Sequence, residues 1–212
     1  MAQFSKSSIL IRFYAELNDF LPPERKFERF ETAVAAHQTV KDVIEALGVP
    51  HSEVDLIIVN EKSVDFDYRV RAGDDISVYP VFESIDIQSV THLRPSPLRV
   101  PRFVVDINLG RLARYLRMLG FDSRYRNDLE DREIVDISEK EHRIILTRDQ
   151  DLLKHKKVTH GYWVRNTKIS AQLQEVVERF DLKNRITPFR RCMVCNGLLQ
   201  PVAKEEIIDK LE

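Results

Sequence analysis

Residues 103–120 read FVVDINLGRLARYLRMLG, and residues 144–153 read IILTRDQDLL. Each begins with a short apolar run that ends on a polar residue: Phe103–Val105 before Asp106, and Ile144–Leu146 before Thr147. Short apolar runs rich in β-branched residues suit a strand buried on both faces. The first run is followed by a different period. Leu109, Leu112, Ala113, Leu116 and Leu119 recur every three or four residues, which is the stripe of an amphipathic helix, and Gly120 closes it. The same alternation continues downstream: a brief strand at Ser123–Tyr125, a helix over Asp131–Lys140 with Ile134, Val135 and Ile137 inward, a strand at Trp163–Val164, and a helix over Ile169–Phe180 carrying Leu173, Val176, Val177 and Phe180. Such βαβαβ order predicts a parallel sheet with helices on its faces.

Upstream, residues 92–101 read HLRPSPLRVP. Three prolines there stop helices and interrupt strand pairing, so the stretch is expected to be a linker. The segment before it is a smaller mixed α/β module. Ser8–Tyr14 places Ile9, Ile11 and Phe13 at period two, with Leu10 on the other face, and reads as a strand. Thr39–Leu47 reads as a helix with Thr39 as N-cap, Asp42 completing a capping box and Gly48 following as C′. Val54–Val59 is a short strand ending at Asn60. Residues 71–75 form a turn, and Ile76–Phe82 is a last strand. The expected organisation is a front domain over 1–91, a linker over 92–101, an α/β domain over 102–190 and a tail over 191–212.

Charge separates the two modules. Residues 1–98 hold 10 Lys+Arg and 16 Asp+Glu, a net of −6; residues 99–212 hold 23 and 18, a net of +5. A polyanionic partner is therefore expected on the back module. No run of 18 apolar residues exists and the N-terminus lacks the h-region and cleavage site of a signal peptide, so the expectation is a cytoplasmic protein without membrane contact. Two cysteines, Cys192 and Cys195, cannot form a disulfide framework; a metal half-site or a redox pair is what their spacing allows.

Ligands of an open α/β sheet bind beyond the carboxyl ends of its strands. Asp106 follows the first strand of the back module. Asp128, Glu130 and Asp131 follow the second, and Asp149 and Asp151 follow the third. Carboxylates gathered on one rim repel unless a cation neutralises them, and Mg²⁺ or Mn²⁺ prefers such oxygen ligands. That site could activate water against a phosphodiester. The competing reading is helix capping, for which Asp131 is well placed. Arg111 and Arg114 lie opposite the apolar stripe of their helix, and Arg148 lies beside the acids. Each is a candidate for holding phosphates of a substrate or for a solvated face.

At these residues the chain resembles a known family. RFVVDINLGRLARYLRMLGFDSRYRND, DREIVDISEKEHRIILTRDQDLL and RCMVCNGLL are similar to the Mut-seven C-terminal ribonuclease family, of the PIN-like fold. The resemblance covers residues 101–204 and implies a metal-dependent ribonuclease acting on RNA. Carried over by position, it makes Asp106, Asp131, Asp149 and Asp151 the acids that hold Mg²⁺ or Mn²⁺ and serve catalysis, with Asp128 as a further member. It also implies a zinc ribbon built from two CxxC pairs. Here Cys192 and Cys195 supply one pair and no second pair occurs before Glu212, so an incomplete zinc site in a partial ribbon-like tail is expected.

The front module, through ILIRFYAELNDFL, TVKDVIEALGVPHSEVDLIIVN and AGDDISVYPVF, resembles the ubiquitin-like β-grasp domains, among them the sulfur carriers MoaD and ThiS. Those carriers act through a free C-terminal Gly-Gly. Here the last strand runs into residues 83–88, ESIDIQ, and the chain continues, which argues against sulfur transfer and leaves docking to a protein partner or positioning of substrate. Two other classes stay open: an RNA-binding module whose acids are caps, and a carrier-type partner protein. PIN-like relatives often form homodimers, and no residue here decides that.

Overall fold

The computed structural model describes residues 7–80, 93 and 101–203. The last residues of the expected final front strand, the stretch 83–88, most of the linker 92–101 and the tail beyond 203 lie outside the described residues.

The front domain contains β1 (Ser7–Phe13), β2 (Arg29–Val34), α1 (Val40–Ala46), β3 (Val54–Val59), β4 (Lys62–Val64) and β5 (Asp75–Pro80). The strand order is β2-β1-β5-β3-β4. β1 and β5 are parallel neighbours at the centre, and the remaining pairs are antiparallel. This mixed sheet with one helix across it is the β-grasp arrangement. Period two explains the core: Ile9, Ile11 and Phe13 of β1 and Ile76 and Val78 of β5 are buried against Val40, Val43 and Ile44 of α1. Thr39 caps α1 as expected, its hydroxyl accepting from the Asp42 N–H (3.2 Å) while Asp42 accepts from the Thr39 N–H (3.0 Å).

The back domain contains β6 (Phe103–Val105), α2 (Gly110–Met118), β7 (Ser123–Arg124), α3 (Asp131–Glu141), β8 (Ile144–Thr147), α4 (Gln150–Leu153), β9 (Gly161–Trp163) and α5 (Ile169–Arg179). Its sheet runs β7-β6-β8-β9, with every described pairing parallel. Alternate residues of the central strands feed two separate cores. Phe103, Val105, Ile144 and Leu146 face α2 and α5, with Leu112, Leu116, Val176 and Phe180. Val104 and Ile145 face α3 and α4, with Ile134, Val135, Leu152 and Leu153. The sheet is thus covered on both faces, as parallel sheets require. No helix among the described residues is long and apolar enough to cross a membrane.

Candidate functional site

The carboxyl ends of β6 and β8 are tied together by one hydroxyl. Thr147 closes β8 and is fully buried. Its Oγ1 donates to Asp106 Oδ2 at 2.6 Å and accepts from the Asp149 backbone N–H at 2.9 Å. Asp106, directly after β6, is 4% exposed, so this hydroxyl fixes one of its oxygens in a place with little water. Asp149 in turn caps α4: its Oδ1 accepts from the Asp151 N–H at 2.8 Å. The Thr-x-Asp spacing therefore has a mechanical reason. The same threonine orients the acid of the neighbouring strand and the turn that carries the next acid.

Asp131 approaches from α3. The capping role expected for it belongs to its neighbour: Glu130 is the N-cap, in a reciprocal box with Glu133, and Asp131 is the first helical residue. Partial burial, then the charges of Asp149 and Asp106, raise the Asp131 pKa above the usual carboxylate range. Asp131 thus lies within electrostatic reach of the other two. The cations nearby serve other acids, Lys154 pairing with Asp151 and Arg126 with Asp128. Among the described residues none of Asp106, Asp131 and Asp149 has a Lys or Arg partner. The donor chemistry fits a hard divalent cation. Among the described residues, however, no three His, Cys, Asp or Glu side chains stand close enough together to hold a metal ion.

Asp151 and Asp128 stand apart from this trio. The Asp151 side chain is 90% exposed and the Asp128 side chain 71%. Asp151 still lines the adjoining cleft, a cavity of about 760 Å³ bounded also by Asn108, Arg148, Asp149, Trp163 and Gln172. A second cavity of about 600 Å³ shares Asn108, Thr167 and Gln172 with the first and extends past Arg111, Tyr125 and Lys168. Arg148 and Arg111 thus border the cleft as candidate phosphate contacts. Arg114 is exposed and lines neither cavity. Arg148 is held away from the acids, its Nη1 donating to the Asn166 carbonyl at 2.6 Å.

Residues 101–212 match the family model described as Mut7-C RNAse domain. The chain belongs to that family. Its front domain, over residues 6–86, matches a second model, Mut7-C ubiquitin, and is ubiquitin-like. Two crystal structures of small archaeal modifier protein 1 from Haloferax volcanii are similar to it. They share 15% and 16% identity, cover 36% and 37% of this chain and 99% of their own, and have a TM-score of 0.29 each. Comparison with curated proteins gives no match.

Beyond these acids, the structure organises the cysteine turn. Cys192 is half-buried, Cys195 is exposed, and both are free thiols. Cys192 donates its N–H to the Gly197 carbonyl (2.8 Å) and accepts from the Asn196 N–H (3.0 Å), closing a tight knuckle. Backbone N–H groups of Cys195 and Val194, then the Cys195 thiol, lower the Cys192 pKa. The knuckle is clamped by Arg117, which is 2% exposed and donates to the carbonyls of Val194 (2.7 Å), Met193 (3.2 Å) and Ser123 (2.9 Å). Helical spacing alone does not mark Arg117 as buried. Two of the residues that meet it, Met193 and Val194, lie 76 and 77 positions further along the chain.

Proposed function

We propose that this Mut7-C protein is a metal-dependent ribonuclease working at Asp106, Asp131 and Asp149, of which Asp149 lines the adjoining cleft. The observation that carries the reading is the Thr147 bridge, which joins two strand-end acids, with Asp131 electrostatically coupled to both. Mg²⁺ or Mn²⁺ commonly binds through one or two carboxylates and retains waters, which suits an open trio better than a closed cage. When bound, the ion would supply Lewis acidity and lower the pKa of a coordinated water near the phosphodiester.

The protein's own residues do the rest. Asp106, held by Thr147, and Asp149, held at the α4 N-terminus, are the acids whose geometry is most tightly set. Asp131 is the acid with the raised proton affinity, so it is the member that most gains from a cation at the cleft. Arg148 and Arg111 border the two cavities and supply positive charge along an RNA path. Asp151, at the rim, is assigned a water-mediated part in the same site. The Cys192–Cys195 pair offers two thiolate donors, half of the tetrahedral set that structural zinc takes.

The test is cleavage of a labelled mixed-sequence RNA with Mn²⁺ and with EDTA, beside Asp106→Asn and Asp149→Asn. Metal-dependent cleavage that disappears in both variants supports the assignment. Cleavage that survives in both would sink it, and RNA retained but never cut would favour a binding module.

A further inference from the structure

The two domains meet along β9, the edge strand of the back sheet. Gly161 makes the approach close: a Cβ there would stand 2.4 Å from Leu153 Cδ2 and 3.2 Å from Ser52 Oγ. Ser52 donates to the Leu153 carbonyl at 3.0 Å. Leu153 ends the same helix whose N-cap is Asp149, about 6 Å away at 1.5 Å per residue.

Beside this contact Glu53, from the front domain, is 1% exposed. Its Oε1 accepts the Trp163 N–H at 2.5 Å, and its Oε2 accepts Arg165 Nη2 at 3.3 Å. Arg165 also donates across the same junction to Asp19 Oδ2 (2.6 Å) and the Glu16 carbonyl (3.2 Å), and within its own domain to the Trp163 carbonyl (2.8 Å). Its guanidinium lies 5.4, 5.0 and 5.2 Å from the ring centroids of Phe20, Tyr162 and Trp163. Phe20 packs on Trp163 with centroids 5.1 Å apart. Arg179 of α5 pairs with Glu16 at 2.8 Å.

The other side of this segment is a wall of the cleft. Trp163 and Thr167 line the cavity beside Asp149. Glu175 gathers the segment from below, accepting the backbone N–H groups of Arg165 (2.8 Å) and Asn166 (3.0 Å). Arg148 then rests on the Asn166 carbonyl. A displacement at Glu53 therefore reaches Arg148 through Arg165 and Asn166, and Asp149 through Ser52 and α4.

We infer that the β-grasp domain acts in cis as a fixed brace of the acid cleft, with Glu53 and Arg165 as positioning residues that set where Trp163, Arg148 and Asp149 stand. The inference rests on the nuclease reading for its effect on turnover, but not for its effect on Trp163, the chain's only tryptophan.

The full-length protein is compared with Glu53→Ala slightly above neutral pH. Val43→Ala, at a front-core position only 4% exposed that makes no hydrogen bond or ion pair across the junction through its side chain, controls for loss of stability alone. Glu53→Ala is expected to red-shift Trp163 emission, open it to acrylamide quenching, lower kcat about tenfold or more through Asp149 and raise KM through Arg148. Val43→Ala is expected to move neither while folded. Unchanged emission in Glu53→Ala overturns the brace whether or not RNA is cut. Shifted emission with wild-type kcat overturns the link to the cleft. If the wild-type protein cuts no RNA with Mn²⁺, the nuclease reading fails by itself, and the brace is judged on emission: a shift supports it and no shift overturns it. Should Glu53→Ala not fold, Asp19→Asn removes an outer carboxylate from Arg165 and is held to the same two readouts, with smaller changes.

Discussion

Glu53 makes the domain junction sensitive to pH, and replacing it by glutamine should flatten that sensitivity. Burial lifts its pKa from 4.5 to about 7, against the pull of Arg165, the Trp163 N–H and Arg179. Arg165 stays firmly charged: burial, which would lower its pKa, is outweighed by Glu53, Tyr162 and Asp19. Glu53 is therefore the member of the pair that titrates. In the unfolded chain the carboxyl loses its proton near its ordinary value, whereas in the native protein it keeps it to about 7. The stability it contributes is fully present below the lower value and is lost as pH rises through the upper one. A gap of about 2.5 pH units at about 1.36 kcal/mol each makes the loss roughly 3 kcal/mol. Urea unfolding of wild type and Glu53→Gln, followed by Trp163 emission from about pH 4.5 to about pH 8, isolates this group, because other titrations such as that of His51 cancel in the difference. Wild-type stability minus that of the variant should fall by up to about 3 kcal/mol across the range. A difference that stays flat, or rises with pH, would refute the reasoning.

Further outcomes follow from the site and the knuckle. Thr147→Val keeps the shape but leaves buried Asp106 without its donor; a loss of about 1–3 kcal/mol in urea unfolding is expected, with reduced RNA cleavage, and wild-type values of both would count against the bridge. Saturating Mn²⁺ at roughly 100 times its Kd should stabilise wild type by about 2.7 kcal/mol in thermal unfolding, and Asp106→Asn or Asp149→Asn by far less. Arg117→Met should release the knuckle, so that a thiol reagent modifies half-buried Cys192 roughly tenfold faster; an unchanged rate would mean the clamp is redundant. Arg148→Ala should raise KM for RNA and flatten its dependence on salt while kcat changes little, and an unaltered salt slope would remove Arg148 from the RNA path.

The strong periodicities were legible in the amino-acid order. The runs at Phe103 and Ile144, the stripe from Leu109 to Leu119 and the box at Thr39 and Asp42 all became the elements they imply. What escaped has weak local signal. β2 is an edge strand whose inner residues are only half-buried, so its pattern becomes a strand through pairing with β1. α4 has four residues, too few to show a period, and exists because Asp149 caps it. At the site, the strand ends announced the acids, but not which would converge. The Glu130 and Glu133 side chains took the cap that Asp131 seemed to offer, and exposure set Asp151 and Asp128 outward. Glu53 and Arg165 lie 112 positions apart and belong to different domains, so no local pattern could have joined them.

The Trp163 N–H that Glu53 accepts points away from the sheet, since its neighbour Val164 donates inward to Thr147. An open strand edge of this kind is a template on which a stray strand from another molecule can grow. The front domain is made first by the ribosome, so it is already present when β9 emerges, ready to cover that edge. Carried on the same chain, it covers at Trp163 an edge that would otherwise stand open to pairing with a second molecule.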